Sequence, residues 1–262
     1  MTDMRLDSLP PVLFSLWRSF RVALGLMTLL PAGDLPDATP EERRQSLYLL
    51  PLIGLVIGIL LWLAWFVLPK SPWLSAMVVL VIWVVLTGAL HLDGLADSVD
   101  AWMGGHRDPN RTLYILRDPT CGPMAIVALI LALGLKLVSL ATLFQVDAAV
   151  FLVAVPVIGR IGVIILYGTT PYVRPGGLGE ALRPEAQDRY WLVSSLAGSF
   201  VVTVLLLGIV LVPALVAAAV AFILVRWAAV ERLRGFTGDV AGAMIELVET
   251  ASLLVMALIV AT

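Results

Sequence analysis

The sequence predicts an all-α, polytopic integral membrane protein, a helical bundle with about seven transmembrane helices. Of its 262 residues, 60% are hydrophobic and 14% are charged, and the mean hydropathy is +1.00. Soluble domains are about 45–50% apolar and about 25% charged. This composition excludes a disordered chain, a basic nucleic-acid-binding protein and an ordinary cytosolic enzyme. The second observation is a series of apolar stretches long enough to span a bilayer.

Seven stretches approach the about 20 apolar residues that a transmembrane helix needs. They are Leu50–Leu68, Trp73–Leu90, Met124–Phe144, Ala148–Tyr167, Leu192–Val210, the short Ala214–Trp227, and Ala243–Ala261. Pro213 almost joins the fifth and sixth stretches, which form either a tight hairpin or one bent element. Six spans is therefore the alternative count. No soluble domain interrupts the series, so residues 1–262 are expected to form one membrane domain.

The distribution of arginine predicts the orientation. On the seven-span map nearly all arginines outside the spans fall on one side, and the other side keeps only Lys70. The positive-inside rule assigns the arginine-rich side to the cytoplasm, which puts the N-terminus inside and the C-terminus outside. Three polar connections, 91–123, 168–191 and 228–242, then share the cytoplasmic side. A site for a water-soluble substrate is expected there, at the inner membrane of the cell.

Residues 1–49 are expected to form a cytoplasmic or amphipathic segment. Its apolar stretch is interrupted by Arg18 and Arg21, which is not the pattern of a cleavable signal peptide. An amphipathic helix on the membrane surface or beside the spans fits this pattern. Ordinary burial within the bundle is the alternative.

Three aspartates follow the second span. Asp93, Asp97 and Asp100 stand at i, i+4 and i+7, so a helix places all three on one face. Carboxylates near a membrane are costly unless they are paired or bind a cation. Mg²⁺ and Mn²⁺ prefer carboxylate and phosphate oxygens, so the pattern indicates a metal–phosphate site. Gly94 allows another backbone or a ligand to approach. The alternative is a solvated helix start, which accounts for one or two acids.

Residues near these acids are candidates for phosphate binding. His91 either orients a carboxylate, touches phosphate or lies at the membrane interface. Arg107, Arg111 and Arg117 either bind phosphate or only contribute to the positive charge that sets the orientation of the chain in the membrane. Asp118 is either a further metal ligand or the partner of Arg117.

The last span carries a second acidic pattern. Asp239, Glu246 and Glu249 stand at i, i+7 and i+10 on one helical face. They form either a second metal site or a proton acceptor. The alternatives are that Asp239 simply caps the helix and that the glutamates pair with Lys136 or Arg160 inside the bundle. Arg160 can reach phosphate or snorkel, whereas Lys136 lies deeper and is expected to be a structural counter-ion.

Several separate motifs, in order, resemble those of the cobalamin-5′-phosphate synthase family, also called adenosylcobinamide-GDP ribazoletransferase. They are residues 87–100, residues 50–54, residues 115–118 with Gly122, the Gly-Leu-Gly of residues 177–179, and residues 237–239 with Gly242 and Glu246. The chain departs from the family pattern at Ala101, where Gly is usual, at Pro119, where Ser is usual, and at Pro123, which leaves local loop geometry open.

The resemblance implies a Mg²⁺-dependent transferase of late cobalamin assembly. A free ribose hydroxyl of α-ribazole, or of its 5′-phosphate, would attack the corrinoid-linked phosphorus of adenosylcobinamide-GDP and release GMP. Asp93, Asp97 and Asp100 would hold the metal on the diphosphate. Arg117 and Arg160 would neutralise phosphate charge, and either Asp239 or Glu246 would complete the metal site or take the hydroxyl proton. Binding to other cobalamin-assembly enzymes and a homo-oligomer are left open.

Two other functions remain alternatives. A CDP-alcohol phosphotransferase uses similar aspartate chemistry, but its Asp-Gly-x-x-Ala-Arg pattern lacks its arginine here. A cation-coupled transporter would place acids near the bilayer midplane on broken helices, whereas most acids here cluster at one end of the spans.

Overall fold

The computed structural model describes residues 10–33, 37–118 and 120–262. Residues 1–9 and 34–36 of the N-terminal segment, and Pro119, lie outside them. The described chain forms eleven α-helices and one isolated parallel β-bridge, between Tyr172 and Phe236. The helices are α1 (Pro11–Met27), α2 (Pro40–Tyr48), α3 (Leu50–Val67), α4 (Pro72–Leu86), α5 (Leu90–Gly104), α6 (Pro109–Ile115), α7 (Pro123–Gln145), α8 (Val155–Thr169), α9 (Arg189–Leu207), α10 (Leu211–Leu233) and α11 (Gly238–Val260). The all-α class is confirmed.

Local sequence signals explain where several helices begin. Pro72, Pro109 and Pro123 each stand in the first turn of a helix, where a missing N–H costs no helical hydrogen bond. Helix α2 starts with a capping box, in which the side chains of Thr39 and Glu42 each accept a hydrogen bond from the other residue's backbone.

Helix α11 lies at the centre of the bundle, packed against α5, α7, α8 and α10, and α3 packs against α8. Helix α3 approaches its neighbour closely because Gly54 faces the backbone of Pro156 and Gly58 faces that of Val153. A Cβ atom on Gly54 would lie 2.5 Å from the Pro156 carbonyl oxygen. The glycine of the motif at residues 50–54 therefore serves helix packing.

The chain turns sharply between α4 and α5. The two helix axes differ by 83°, and the turn holds Gly88 and Ala89 with φ of +59° and +56°. The predicted span Trp73–Leu90 therefore ends as a straight helix at Leu86. A glycine adopts positive φ without steric cost, whereas Ala89 is strained there. As a result the aspartate-bearing helix α5 lies across the bundle and packs on α11.

Two of the three predicted polar connections are largely helical. Residues 91–123 contain α5 and α6, and residues 228–242 reduce to the short link 234–237 between α10 and α11. Helices that are amphipathic or rich in glycine lack the continuous apolar run that marks a span. The hydropathy pattern therefore assigned these two segments to connections between spans. Only residues 168–191 are mainly irregular, with short 3-10 turns.

Five helical segments of the described chain are long and apolar enough to cross a membrane, or six if α4 and α5 count as one broken span. The chain is therefore a multi-pass membrane protein. One of the five, Ala186–Leu233, has 48 residues, more than twice the about 20 of a single span. It breaks at Gly208, where φ is +51°. A count of seven requires α9 and α10 to cross separately and stays a prediction, as does the side of the N-terminus.

Helix α1 packs on α2 through polar contacts. Nε of Arg18 donates to Glu42 at 2.8 Å, and the hydroxyl of Ser19 donates to Gln45 at 3.1 Å. Val12 and Leu13, in the first turn of α1, are exposed. Helix α1 thus packs on α2 and α3, and its place relative to the membrane surface stays a prediction.

Candidate active site

The candidate site forms where α5 crosses the start of α11. The two helices touch through glycine, because Gly94 of α5 faces the backbone of Asp239 and Gly242 of α11 faces His91. A Cβ on Gly94 would lie 2.5 Å from the Asp239 carbonyl oxygen, whereas one on Gly242 would lie 3.3 Å from Cα of His91. This close approach brings the two acidic patterns of the sequence to one place.

Replacing Gly94 by alanine should therefore displace α5 from α11. We expect Gly94→Ala to lower turnover at least about tenfold, since catalytic geometry tolerates little displacement. Gly134→Ala, on α7, is the control, because a Cβ there meets no atom within 4 Å. Equal activity of the two variants would show that the crossing does not position the site. Initial rates of purified protein at equal folded concentration measure the difference.

The three aspartates of α5 have different surroundings. Asp93 is exposed, and Asp97 is half-buried. The charge of Asp97 is repelled by the carboxylates of Asp93, Asp239 and Asp100 and attracted by Arg174. An excess of negative charge therefore surrounds Asp97, which suits a bound cation.

Asp100 holds α5 against α7. Its carboxylate accepts hydrogen bonds from the backbone N–H of Gly122 and, at 3.1 Å, from that of Ala125. These groups form the first turn of α7, so Asp100 satisfies N–H groups that a helix start leaves free. A Cβ on Gly122 would lie 2.7 Å from this carboxylate. Asp100 and Gly122 thus join two helices, and their roles in metal and phosphate binding stay predictions.

Asp239 pairs with an arginine that the sequence analysis did not single out. Its carboxylate accepts a hydrogen bond from Arg174 at 2.8 Å and one from the Thr237 hydroxyl at 3.2 Å. Thr237 also caps α11, through the N–H of Val240. Arg174 stands three residues before the Gly-Leu-Gly motif, and this proximity was the available signal.

These residues surround a cavity of about 510 Å³ with mostly apolar walls, at the end of the bundle where α8 ends and α11 begins. Among the predicted residues the cavity is lined by His91, Asp93, Gly94, Arg117 and Asp239. The remaining lining residues are Leu26, Met27, Leu90, Val163, Tyr167, Tyr172, Arg174, Pro175, Gly176, Gly177, Leu178, Gly179, Leu182, Gly238, Ala241, Gly242 and Ile245. Two acids and two arginines thus meet at one apolar chamber.

Aromatic packing fixes the glycine-rich wall of the cavity. The Tyr167 hydroxyl donates to the Gly179 carbonyl at 2.8 Å, and the rings of Tyr167 and Tyr172 both pack edge-on against Phe236. A Cβ on Gly179 would lie 2.5 Å from the Tyr167 hydroxyl, so only glycine fits. Burial raises the pKa of Tyr172, against the opposing effect of Arg174, and Tyr172 is therefore a neutral wall residue at physiological pH.

A buried group of charges lies in the bundle next to this site. Lys136 of α7 contacts Glu246 at 2.7 Å and Glu249 at 3.0 Å, and Arg160 of α8 binds Glu249. All four side chains are at least 95% buried. The structure therefore places Glu246 and Arg160, predicted to be catalytic and phosphate-binding, in a structural ion network instead of the cavity. The glutamates pair with Lys136 and Arg160, which is the alternative that the sequence had left open.

His91 is 3% exposed and lines the cavity. Its Nε2 atom is buried and has no hydrogen-bond partner among the described residues. The imidazole lies near the cations Arg160 and Lys136, so it belongs to the wall between the cavity and the ion network.

The other predicted polar residues lie at or beyond the rim. Arg107 contacts Glu231 at 3.3 Å, and Arg111 is exposed. The carboxylate of Asp118 accepts hydrogen bonds from the hydroxyl and backbone N–H of Thr120. These bonds lower the pKa of Asp118 and tie it into its own turn. Among the described residues Asp118 forms no ion pair with Arg117, and its role as a metal ligand stays a prediction.

A polytopic membrane protein with acids and arginines around one apolar chamber belongs to the class of membrane-embedded proteins equipped to bind a phosphate ester. The family model for cobalamin-5-phosphate synthase matches residues 19–257, and the chain belongs to that family. This confirms the family that the motifs resembled.

Similar proteins extend over almost the whole chain. An adenosylcobinamide-GDP ribazoletransferase of Ectopseudomonas mendocina is 46% identical over 241 residues, which are 91% of this chain and 98% of the relative. One of Stutzerimonas stutzeri is 47% identical over 239 residues, 90% of this chain and 96% of the relative. One of Pseudomonas fluorescens is 44% identical over 239 residues, 90% and 98% of the two chains. No solved structure matches the chain.

Proposed function

We propose that this protein is an adenosylcobinamide-GDP ribazoletransferase, which joins α-ribazole or its 5′-phosphate to adenosylcobinamide-GDP and releases GMP. The observation that carries the proposal is the meeting of Asp93, Asp239, Arg117 and Arg174 at one cavity. These residues come from four separate segments; three of them lie within motifs of the family, and the fourth, Arg174, stands three residues before one. Its relatives bear the name of this activity.

The reaction exchanges one P–O bond for another. The oxygen of a free ribose hydroxyl of the nucleoside bonds to the corrinoid-linked phosphorus, and the bond from that phosphorus to the bridging oxygen breaks, so that GMP leaves with the electron pair. Arg117 and Arg174 supply positive charge for the phosphate oxygens. The hydroxyl proton passes to a cavity carboxylate. Of the two acids that the sequence leaves for this role, Asp239 lines the cavity, whereas Glu246 is buried against Lys136.

The donor set also suits Mg²⁺. The positive charge of Arg174 offsets only part of the negative charge of the carboxylates around Asp97. In the described chain, no group of three or more metal-binding side chains is close enough to enclose an ion. Mg²⁺ commonly uses one or two carboxylates together with substrate phosphates. Asp93 and Asp97 would hold it, and when bound it would neutralise charge on the diphosphate.

Release of GMP by the purified protein in detergent tests the activity and the metal together. With adenosylcobinamide-GDP, α-ribazole and Mg²⁺ we expect GMP and a new corrinoid product in equal amounts. EDTA should reduce the rate at least about 100-fold, because phosphoryl transfer depends on charge neutralisation. Added Mg²⁺ should restore it.

A rate that is unchanged by EDTA would contradict the metal proposal and leave the transfer reaction standing. Folded protein that releases no GMP in several lipids and detergents would overturn the activity. Turnover of CDP-alcohols instead would show that the acids serve a lipid-headgroup transferase.

The arginine distribution supports a site that faces the cytoplasm at the inner membrane. The single cysteine, Cys121, provides the measurement, since it is exposed and directly precedes Gly122 beside Asp100. An impermeant maleimide should label Cys121 in inverted vesicles and leave right-side-out vesicles unlabelled. Asp147→Cys in a Cys121→Ser background is the matched control at the other end of α7, and it should give the opposite pattern. Labelling of Cys121 only in right-side-out vesicles would reverse the orientation.

A further inference from the structure

We propose that the apolar part of the cavity binds the aromatic base of the nucleoside substrate, and that the corrinoid stays outside the chamber. This inference rests on the proposed function and assigns its two substrates to different places. The cavity volume is about 510 Å³, within the range of about 300–1,000 Å³ that holds drug-sized ligands. A nucleoside is of this size. A corrin macrocycle with its amide side chains is several times larger.

The chamber has the length that a nucleoside needs. Asp239 and Ile245 both line it, and they are six residues apart on α11, which is about 9 Å along a helix axis. A nucleoside with its attacking ribose hydroxyl at Asp239 therefore reaches the level of Ile245 with its base. Met27 and Leu182 also line the chamber and are less than 10% exposed. The two-ring base then lies among aliphatic side chains.

The chemistry of the walls distinguishes the two bases present in the reaction. Guanine carries several N–H donors and a carbonyl acceptor, and each costs free energy when it is buried without a partner. The dimethylbenzimidazole base of α-ribazole offers a single ring nitrogen and two methyl groups. Apart from the four charged residues and His91, the cavity is lined mainly by aliphatic side chains, glycines and the two tyrosines. The chamber therefore favours the base of α-ribazole over guanine.

The glycine-rich wall is rigid, so the chamber is largely formed before a ligand enters. Tyr167 bonds to Gly179, and Gly176 N–H donates to the carboxylate of Glu180 at 2.7 Å. A preformed chamber lowers the entropic cost of ordering a loop on binding.

Filling the chamber tests the assignment. Leu182→Phe, and independently Met27→Phe, should raise KM for α-ribazole at least tenfold and leave KM for adenosylcobinamide-GDP within twofold. Leu205→Phe, at an exposed position of α9, is the matched control and should change neither constant. Equilibrium dialysis of α-ribazole against each protein, without the corrinoid, should show the same order of affinities. Using two variants guards against the failure of either one to fold.

The outcomes separate this inference from the function on which it rests. A rise in KM for adenosylcobinamide-GDP alone, or loss of GMP binding with α-ribazole binding intact, would place guanosine or the corrinoid in the chamber and overturn the assignment. If wild-type protein binds α-ribazole in dialysis but releases no GMP, the proposed activity is contradicted and the assignment of the chamber to α-ribazole is retained.

Discussion

Replacing Asp93 by asparagine should lower kcat for GMP release by roughly 10²–10³-fold, the usual loss when one electrostatic element of an active site is removed. The amide keeps the shape of the side chain and removes the negative charge. Asp93 is exposed and lines the cavity, so the substitution leaves no buried charge without its partner, and folding should be unaffected. A higher Mg²⁺ concentration for half-maximal rate should accompany the loss, because Asp93 is a proposed metal ligand.

Asp147→Asn is the control for this experiment. Asp147 follows α7 at the opposite end from Gly122 and lies 3.9 Å from Lys70 in an exposed pair. Its replacement should keep the rate within twofold. If Asp93→Asn retains more than a tenth of the wild-type rate with the same Mg²⁺ dependence, Asp93 is neither a metal ligand nor essential for transfer.

Replacing Glu249 by glutamine should destabilise the fold strongly. Glu249 is fully buried and binds both Lys136 and Arg160, so the substitution leaves two buried cations with the single carboxylate of Glu246. Breaking a buried ion pair costs about 3–5 kcal/mol. For a chain of this size that corresponds to a fall in Tm of roughly 10 °C. Thermal unfolding in detergent, followed by circular dichroism, measures it.

The matched control for Glu249→Gln is Glu231→Gln. Glu231 pairs with Arg107 at 3.3 Å, but the arginine is 72% exposed. Surface ion pairs contribute only about 0–1 kcal/mol, so the expected change in Tm is small. Equal shifts for the two variants would mean that burial of the network adds nothing to stability.

The sequence identified the acids and could not assign them different tasks. Spacing places Asp93, Asp97 and Asp100 on one face of α5, and the structure confirms the helix. Which of them faces the cavity depends on contacts that spacing does not encode. Asp100 meets the start of α7, more than 20 residues away in the chain. The tertiary structure was therefore needed to distinguish an aspartate that faces the cavity from one that caps a neighbouring helix.

The same reason explains the charged residues of the bundle. Arg160 and Glu246 looked functional because an isolated charge in a span is costly. In the structure each has an opposite charge from another helix, so the cost is offset without a ligand. Arg174 was missed because positive-inside topology already accounts for a basic residue near a span. The 83° turn into α5 was also missed, since hydropathy carries no information on direction.

The ion network has a consequence for how the chain enters the membrane. Its two cations stand on α7 and α8, and both of its carboxylates stand on α11, which is synthesised after those two helices. Lys136 and Arg160 would enter the bilayer before their partners exist, at a cost of a few kcal/mol each. Arrival of α11 neutralises both charges in one event. Assembly of the bundle is thus tied to synthesis of α11, and a chain truncated before α11 would present two uncompensated charges to quality-control proteases.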